Sequence, residues 1–236
     1  MKPSNLGRWV FWMIAAAAAM AQSGENALTV QTLKLAKFVQ PDFPTRARID
    51  GIPVGSVTAA IGHDNSGMVT DVLILAATHP AMAASAATAL RQWRFQPTEE
   101  DSTHKEAPAL VRVDFSVQGV IAIYGTDAGR AELQWGATAE VKSLTSLEHV
   151  PKPVVQPMPA YPADMAQRGL EGEATVAYFV DDDGNVRLPH VLNASTDEFG
   201  RAAVAAISSW RYEPPRTHGQ PAIVAGQWTF QFHKNG

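Results

Sequence analysis

Gln92-Trp93-Arg94-Phe95-Gln96-Pro97 and Ser209-Trp210-Arg211-Tyr212-Glu213-Pro214 are one pattern written twice, 117 residues apart, in a chain of 236. Working outward, the same offset joins Asn65-Ser66-Gly67 to Asp182-Asp183-Gly184 and Gly55 to Gly172. An offset of 118 joins the aromatic-Pro pairs Phe43-Pro44 and Tyr161-Pro162, so the first copy holds one extra residue near 52–55. Several unrelated motifs in fixed order at fixed spacing are the signature of an internal repeat.

Both copies show the same succession of periodicities. Pro44 and Pro162 open short helical turns over 44–49 and 162–168, where a missing N–H costs nothing. Gly51 and Gly169 follow, where a helix stops. Two β-rich runs come next, 57–61 with 69–75 and 174–180 with 186–192. Asp64-Asn65-Ser66-Gly67 and Asp181-Asp182-Asp183-Gly184 join them with residues that tolerate the positive φ of hairpin turns. A helix then carries Met82, Ala86, Ala89 and Trp93 in one copy and Phe199, Ala203, Ala206 and Trp210 in the other, a spacing of 4, 3 and 4 that makes one buried stripe. Pro80 opens the first of these helices. Ser195, Thr196 and Asp197 offer caps to the second, with Glu198 placed for a capping box on Ser195. Strands over 111–117 and 226–233 close the copies, their period of two predicting one wet face.

The fold expected is therefore α+β: two repeats, each a three-stranded antiparallel sheet with two helices on one face. The organisation expected is a signal peptide over 1–21, a leader over 22–37, a degenerate first repeat over 38–118, a connecting segment over 119–151 and a second repeat over 152–236. The connecting segment has strand-like runs at 120–124 and 131–135 and is too long for a structureless loop, so a short hairpin is expected there. Each repeat is near the size where a lone core is marginal, which makes Trp93, Trp210, Tyr161 and Phe199 the expected structural core.

Composition bounds the chemistry. The chain is 46% hydrophobic and 18% charged, with 19 basic against 23 acidic residues and a net charge of −4. Without a basic excess a nucleic-acid partner is not expected. No cysteine is present, which excludes disulfides, thiolate metal sites and thiol catalysis. Lys2 and Arg8 precede an apolar run of thirteen residues over 9–21, ending in the small-x-small Ala19-Met20-Ala21. That is a secretory signal cleaved between Ala21 and Gln22; a spanning helix wants about 20 residues. Its removal leaves 17 basic and 23 acidic residues, a net charge of −6.

Aromatic-Pro, Gly-x-x-Gly, the Asp-rich hairpin, a Ser before an Ala-rich helix and Trp-Arg-aromatic-x-Pro together resemble the TonB C-terminal domain family. The second copy carries the pattern closely: Ala160-Tyr161-Pro162, Gly169-Leu170-Glu171-Gly172, Val180-Asp181-Asp182-Asp183-Gly184, Ser195, Ala202-Ala203, Trp210-Arg211-Tyr212-Glu213-Pro214 and Gly219-Gln220-Pro221. The first is a degraded version, with Phe43 in place of the Tyr. The resemblance implies a periplasmic, non-enzymatic domain that binds extended protein or peptide segments of outer-membrane transporters by adding them as a strand to the edge of its last strand. Carried over, Gln227, Trp228, Thr229, Phe230, Gln231 and Phe232 form the candidate edge of copy two, and residues 111–117 that of copy one. Two other arrangements stay open: a scaffold whose repeats pair edge to edge, and an inner-membrane-anchored energy transducer, touching the membrane only if the signal is retained. The family's transducers have a membrane helix with a polar residue and a long Pro-rich span; both are missing here, so binding without force generation is the expectation. A homodimer also stays open.

Catalytic residues, cofactors and metals are not expected. The seven His are scattered with no His-x-x-x-His pair, and the Asp181 loop has Leu192 where a calcium loop needs its twelfth-position Glu. Arg94 and Arg211 are expected to serve carbonyls at helix ends.

Overall fold

A computed structural model describes residues 35–97, 107–125 and 141–233. The expected signal segment, its Ala21/Gln22 cleavage point and the run at 131–135 lie outside the described residues. The first copy runs β1 (Leu35–Lys37), α1 (Thr45–Ile49), β2 (Val54–His63), β3 (Val69–Ala77), α2 (Pro80–Leu90), β4 (Arg94–Phe95), β5 (Ala109–Ser116) and β6 (Gly119–Gly125). After β7 (Lys142–Ser143) and a 3-10 turn (Leu144–Ser146), the second copy runs β8 (Pro153–Val155), α3 (Ala163–Arg168), β9 (Gly172–Val180), β10 (Val186–Ala194) and α4 (Asp197–Ile207). It then adds β11 (Arg211–Tyr212), the short pair β12 (Arg216–Thr217) and β13 (Gln220–Pro221), and finally β14 (Val224–Phe232).

The three antiparallel strands expected per repeat are the heart of each sheet, and each sheet has one strand more. The orders are β3-β2-β5-β6 and β10-β9-β14-β7. The connecting segment supplies both additions: β6 folds back on β5, and β7 lies beside β14. An exposed edge is a row of unpaired N–H and C=O groups, and neighbouring chain relieves it. The final strands of the two copies do not pair with each other, which corrects the edge-to-edge arrangement.

The two repeated motifs that define the family pattern form one physical unit. Asp64 and Asp181 each accept backbone N–H groups from their own turns, Ser66 and Met68 in one, Asp183 and Asn185 in the other. Gly67 and Gly184 sit at φ 79° and 85°. Each carbonyl accepts the N–H of the aromatic in Trp-Arg-aromatic, Phe95 and Tyr212, at 2.8 Å. A Cβ on either glycine would lie 2.0–2.1 Å from the facing carbonyl oxygen, so the turn must be Gly for the tail of the helix to dock. Arg94 donates to the carbonyl of Trp93, the residue before it and three past the end of α2, at 2.7 Å, and not to a carbonyl of the helix. Arg211 differs: both copies bridge this backbone to the turn, but the turn residue opposite is Met68 in copy one and Asn185 in copy two, and Arg211 donates to the Asn185 side-chain oxygen.

Trp93 and Trp210 are buried, and their indole N–H groups donate to Val39 and Pro157 carbonyls at 2.8 and 2.9 Å. The indoles thus tie down the extended leads that enter each copy. Phe199 is buried and Tyr161 partly buried; Tyr161 lies edge-on to Phe199 and Phe232 and its hydroxyl donates to the Leu170 carbonyl. The Ser195 capping box does not form. Thr196 caps α4 instead, accepting from the Phe199 N–H, while the Ser195 hydroxyl accepts the Glu173 N–H at 3.0 Å. Copy one repeats the division of labour, with His79 Nδ1 capping α2 and Thr78 accepting from Ser56. One position ties the helix entry to the sheet and the next caps.

Candidate peptide-binding edge

β14 pairs with β9 along its whole length, from Val224 opposite Val180 to Phe232 opposite Gly172. On its other side β7 runs parallel and meets only Val224 and Ala225. Among the described residues no strand lies beside 226–232, so the sequence-predicted edge, Gln227 through Phe232, begins just beyond the covered part. Alternate residues of an antiparallel strand direct both backbone groups away from the partner, which gives this border a ladder of outward donors and acceptors.

Side chains divide between two faces. Phe230 and Phe232 are buried under the helices, whereas Trp228, on the same face, is 44% exposed and lies edge-on to Trp210 with centroids 5.4 Å apart. Gln227, Thr229 and Gln231 occupy the helix-free face. Thr229 and Thr175 share a hydrogen bond of 2.9 Å, and the Gln231 amide donates to Glu173 at 2.8 Å. Those cross-strand contacts hold β14 against β9 and leave its far border alone.

The counterpart edge in copy one is closed, a correction to the expectation for residues 111–117. β6 pairs with β5 from Leu110 opposite Gly125 to Ser116 opposite Gly119. The reason is local: two residues, Val117 and Gln118, suffice for a hairpin, and a β-prone run follows at once.

Sequence reasoning missed a second set of residues, where the helix-free sheet faces of the copies meet. Ala60, Leu73, Leu75 and Leu110 pack with Phe179, Leu188, Ile223 and Ala225. Leu188 has φ 52° at an irregularity in β10, and its Cδ2 lies so close to Gly62 that a Cβ there would sit 2.7 Å away. Arg187 pairs with both oxygens of Asp71 across this contact and reaches Asp181 at 3.4 Å. These carboxylates hold its guanidinium still more firmly protonated than usual. His190 is buried on the same strand, its Nδ1–H donating to the Leu188 carbonyl, and burial pushes its pKa below the ordinary imidazole value. The signal was present: Val72-Leu73-Ile74-Leu75 and Tyr178-Phe179-Val180 do not alternate, as strands covered on both faces do not.

A family model described as the Gram-negative bacterial TonB protein C-terminal matches residues 39–117 and again 157–233. Protein TonB of Pseudomonas aeruginosa is 34% identical over 82 residues, which is 34% of this chain and 23% of that protein. The match thus spans about a quarter of the relative's length. The solution NMR structure of the Pseudomonas aeruginosa TonB CTD is similar at 29% identity, covering 35% of this chain and 84% of that one, with a TM-score of 0.32. A structure of the tonb2 protein from Vibrio anguillarum is 24% identical, covering 44% and 90%, with a TM-score of 0.29.

Proposed function

This chain belongs to the TonB C-terminal domain family, and on that premise we propose that its second copy holds an extended segment of a partner protein as an added strand along residues 226–232. The observation that carries the reading is a contrast between equivalent strands. β5 has neighbours on both sides, whereas among the described residues β14 has β9 on one side and on the other only the two-residue contact with β7. Main-chain pairing at such an edge supplies affinity while demanding little of the visitor's sequence. Family membership supports the setting of this proposal, an exported chain in the periplasm that acts in envelope transport on segments of outer-membrane transporters. Amino-terminal sequencing of the natural product bears on anchoring, a start at Gln22 favouring the free periplasmic binder and an intact Met1 the anchored transducer.

Hydrogen exchange on the full chain is the test, with synthetic segments from the periplasmic faces of outer-membrane transporters as probes. Binding should slow exchange of amides within 226–232 and leave β5 unchanged. Binding that protects other amides and not these would remove the proposal. Thr229→Pro, which deprives the strand of an N–H, should abolish the effect if circular dichroism shows the fold retained.

A further inference from the structure

We propose that the cleft between the Asp181 turn and the tail of α4 binds a small polyhydroxylated carboxylate, its acid group held by Arg211 and its hydroxyls by Ser208 and Ser209. The cleft shares no residue with the edge at 226–232 and does not depend on the strand-addition reading.

Its volume is about 370 Å³, with the turn and the start of β10 on one side and residues 208–211 on the other. The repeat supplies an internal comparison. Moved back by the offset of 117, Asp181, Val186, Trp210 and Arg211 fall on Asp64, Val69, Trp93 and Arg94, residues of the same kind. Those four frame the docking of helix tail on turn in both copies. The other lining positions all differ. Copy one has Met68 and Thr70 where copy two has Asn185 and Arg187, and Arg91 and Gln92 where it has Ser208 and Ser209. Relative to copy one, copy two lacks two long side chains on the helix tail and has an amide and a guanidinium on the facing strand. Docking alone requires neither change, because the Phe95 and Tyr212 N–H groups reach their turn carbonyls at 2.8 Å alike.

Donors and acceptors fix the chemistry of the ligand. Asp71 takes hydrogens from Nε and Nη2 of Arg187, and Asp181 takes one from Nη1, so two of its five N–H groups stay open. Asp181 is itself satisfied, accepting the Asp183 and Asn185 N–H groups and the Asn185 amide. Arg211 is exposed, donates to the neutral Asn185 side chain and has no carboxylate partner among the described residues. It offers one positive charge in a fork that matches a planar carboxylate. A dianion would add repulsion from Asp181, Asp182 and Asp183. The Ser208 and Ser209 hydroxyls donate to the Val204 and Ala206 carbonyls, both at 2.7 Å, which leaves their oxygens as acceptors at the negative end of the helix. Hydroxyl groups of a ligand suit such oxygens, and a bare carboxylate would leave most of the cleft to water.

Sodium gluconate is the probe, titrated at constant ionic strength into the isotope-labelled full chain and followed by amide NMR, with glucose and acetate as the two halves of the ligand. Gluconate should shift the amides of Asn185 and of residues 208–211 saturably and bind about tenfold more tightly than either half, a difference of ~1.4 kcal/mol. Arg211→Gln should weaken gluconate binding by a similar factor. Ser208→Arg combined with Ser209→Gln, which gives the helix tail of copy two the residues of copy one, should abolish it with the fold retained by circular dichroism. Acetate binding as tightly as gluconate overturns the part assigned to the hydroxyls, and glucose binding as tightly overturns the part assigned to Arg211. Shifts that persist at the same affinity in Arg211→Gln, or the absence of any saturable shift, remove the site.

Discussion

Gly184 shows how much one residue can decide. Its backbone is left-handed and its carbonyl receives the Tyr212 N–H at 2.8 Å. Gly184→Ala should cost at least the ~1–2 kcal/mol of left-handed strain, and more from the clash with the Tyr212 carbonyl 2.1 Å from the new Cβ. Urea denaturation of the two proteins reads this directly, and equal midpoints would refute it. Trp210→Ala removes the largest side chain of the second core together with the bond to Pro157; a loss of about 3–5 kcal/mol is expected for such a truncation. His190 adds a pH dependence. Burial makes its folded-state pKa lower than the unfolded value of 6.5, so its contribution to stability is whole above 6.5 and is lost as pH falls through the folded-state pKa. His190→Gln should flatten that part of the stability profile; an unchanged slope would exclude this group as the source.

At the scale of elements, two strands equivalent by descent from one repeat have different surroundings. β5 lies between β2 and β6, and β14 between β9 and, over two residues, β7. In the free chain, amides that point outward from 226–232 should exchange much faster than the amides of β5, because among the described residues only the former lack a neighbour strand. Uniform protection across both strands, measured by hydrogen-exchange NMR, would show that the border of β14 is occupied. The helices tell a parallel story. α2 and α4 keep the same stripe, from Met82 to Trp93 and from Phe199 to Trp210, yet their caps are His79 and Thr196. Different chemistries satisfy one need: Thr196 was among the caps the sequence offered to α4, whereas nothing in the pattern pointed to His79. Ser195 looked like the cap because a Glu stood three residues on; the sheet claimed its hydroxyl through the Glu173 N–H instead.

For the whole molecule, the decisive feature is the contact between copies through their helix-free faces. Leu188 reaches Gly62 from a left-handed backbone position. Asp tolerates that conformation, so Leu188→Asp removes the apolar contact without new backbone strain. Calorimetry should then resolve two unfolding transitions where the parent shows one; a single transition at the parent temperature would mean the copies do not stabilise each other. Arg187→Ala takes away the partner of Asp71 and Asp181. Its side chain is 29% exposed and that of Asp71 33%, so the cost should fall between exposed and buried pairs, at about 1–3 kcal/mol.

From the sequence alone came the duplication, the succession of helices and strands within each copy, the hairpin turns and the stripes ending at Trp93 and Trp210. Each depends on residues close along the chain: the alternation of apolar groups, the φ freedom of Gly, the missing N–H of Pro. Tertiary structure decided that β6 closes one border while β7 touches the start of the other, that Ser195 serves the sheet, and that Asp71 meets Arg187. Those outcomes join segments up to 116 residues apart in sequence, and local periodicity carries no record of which distant backbone or side chain will satisfy an open group.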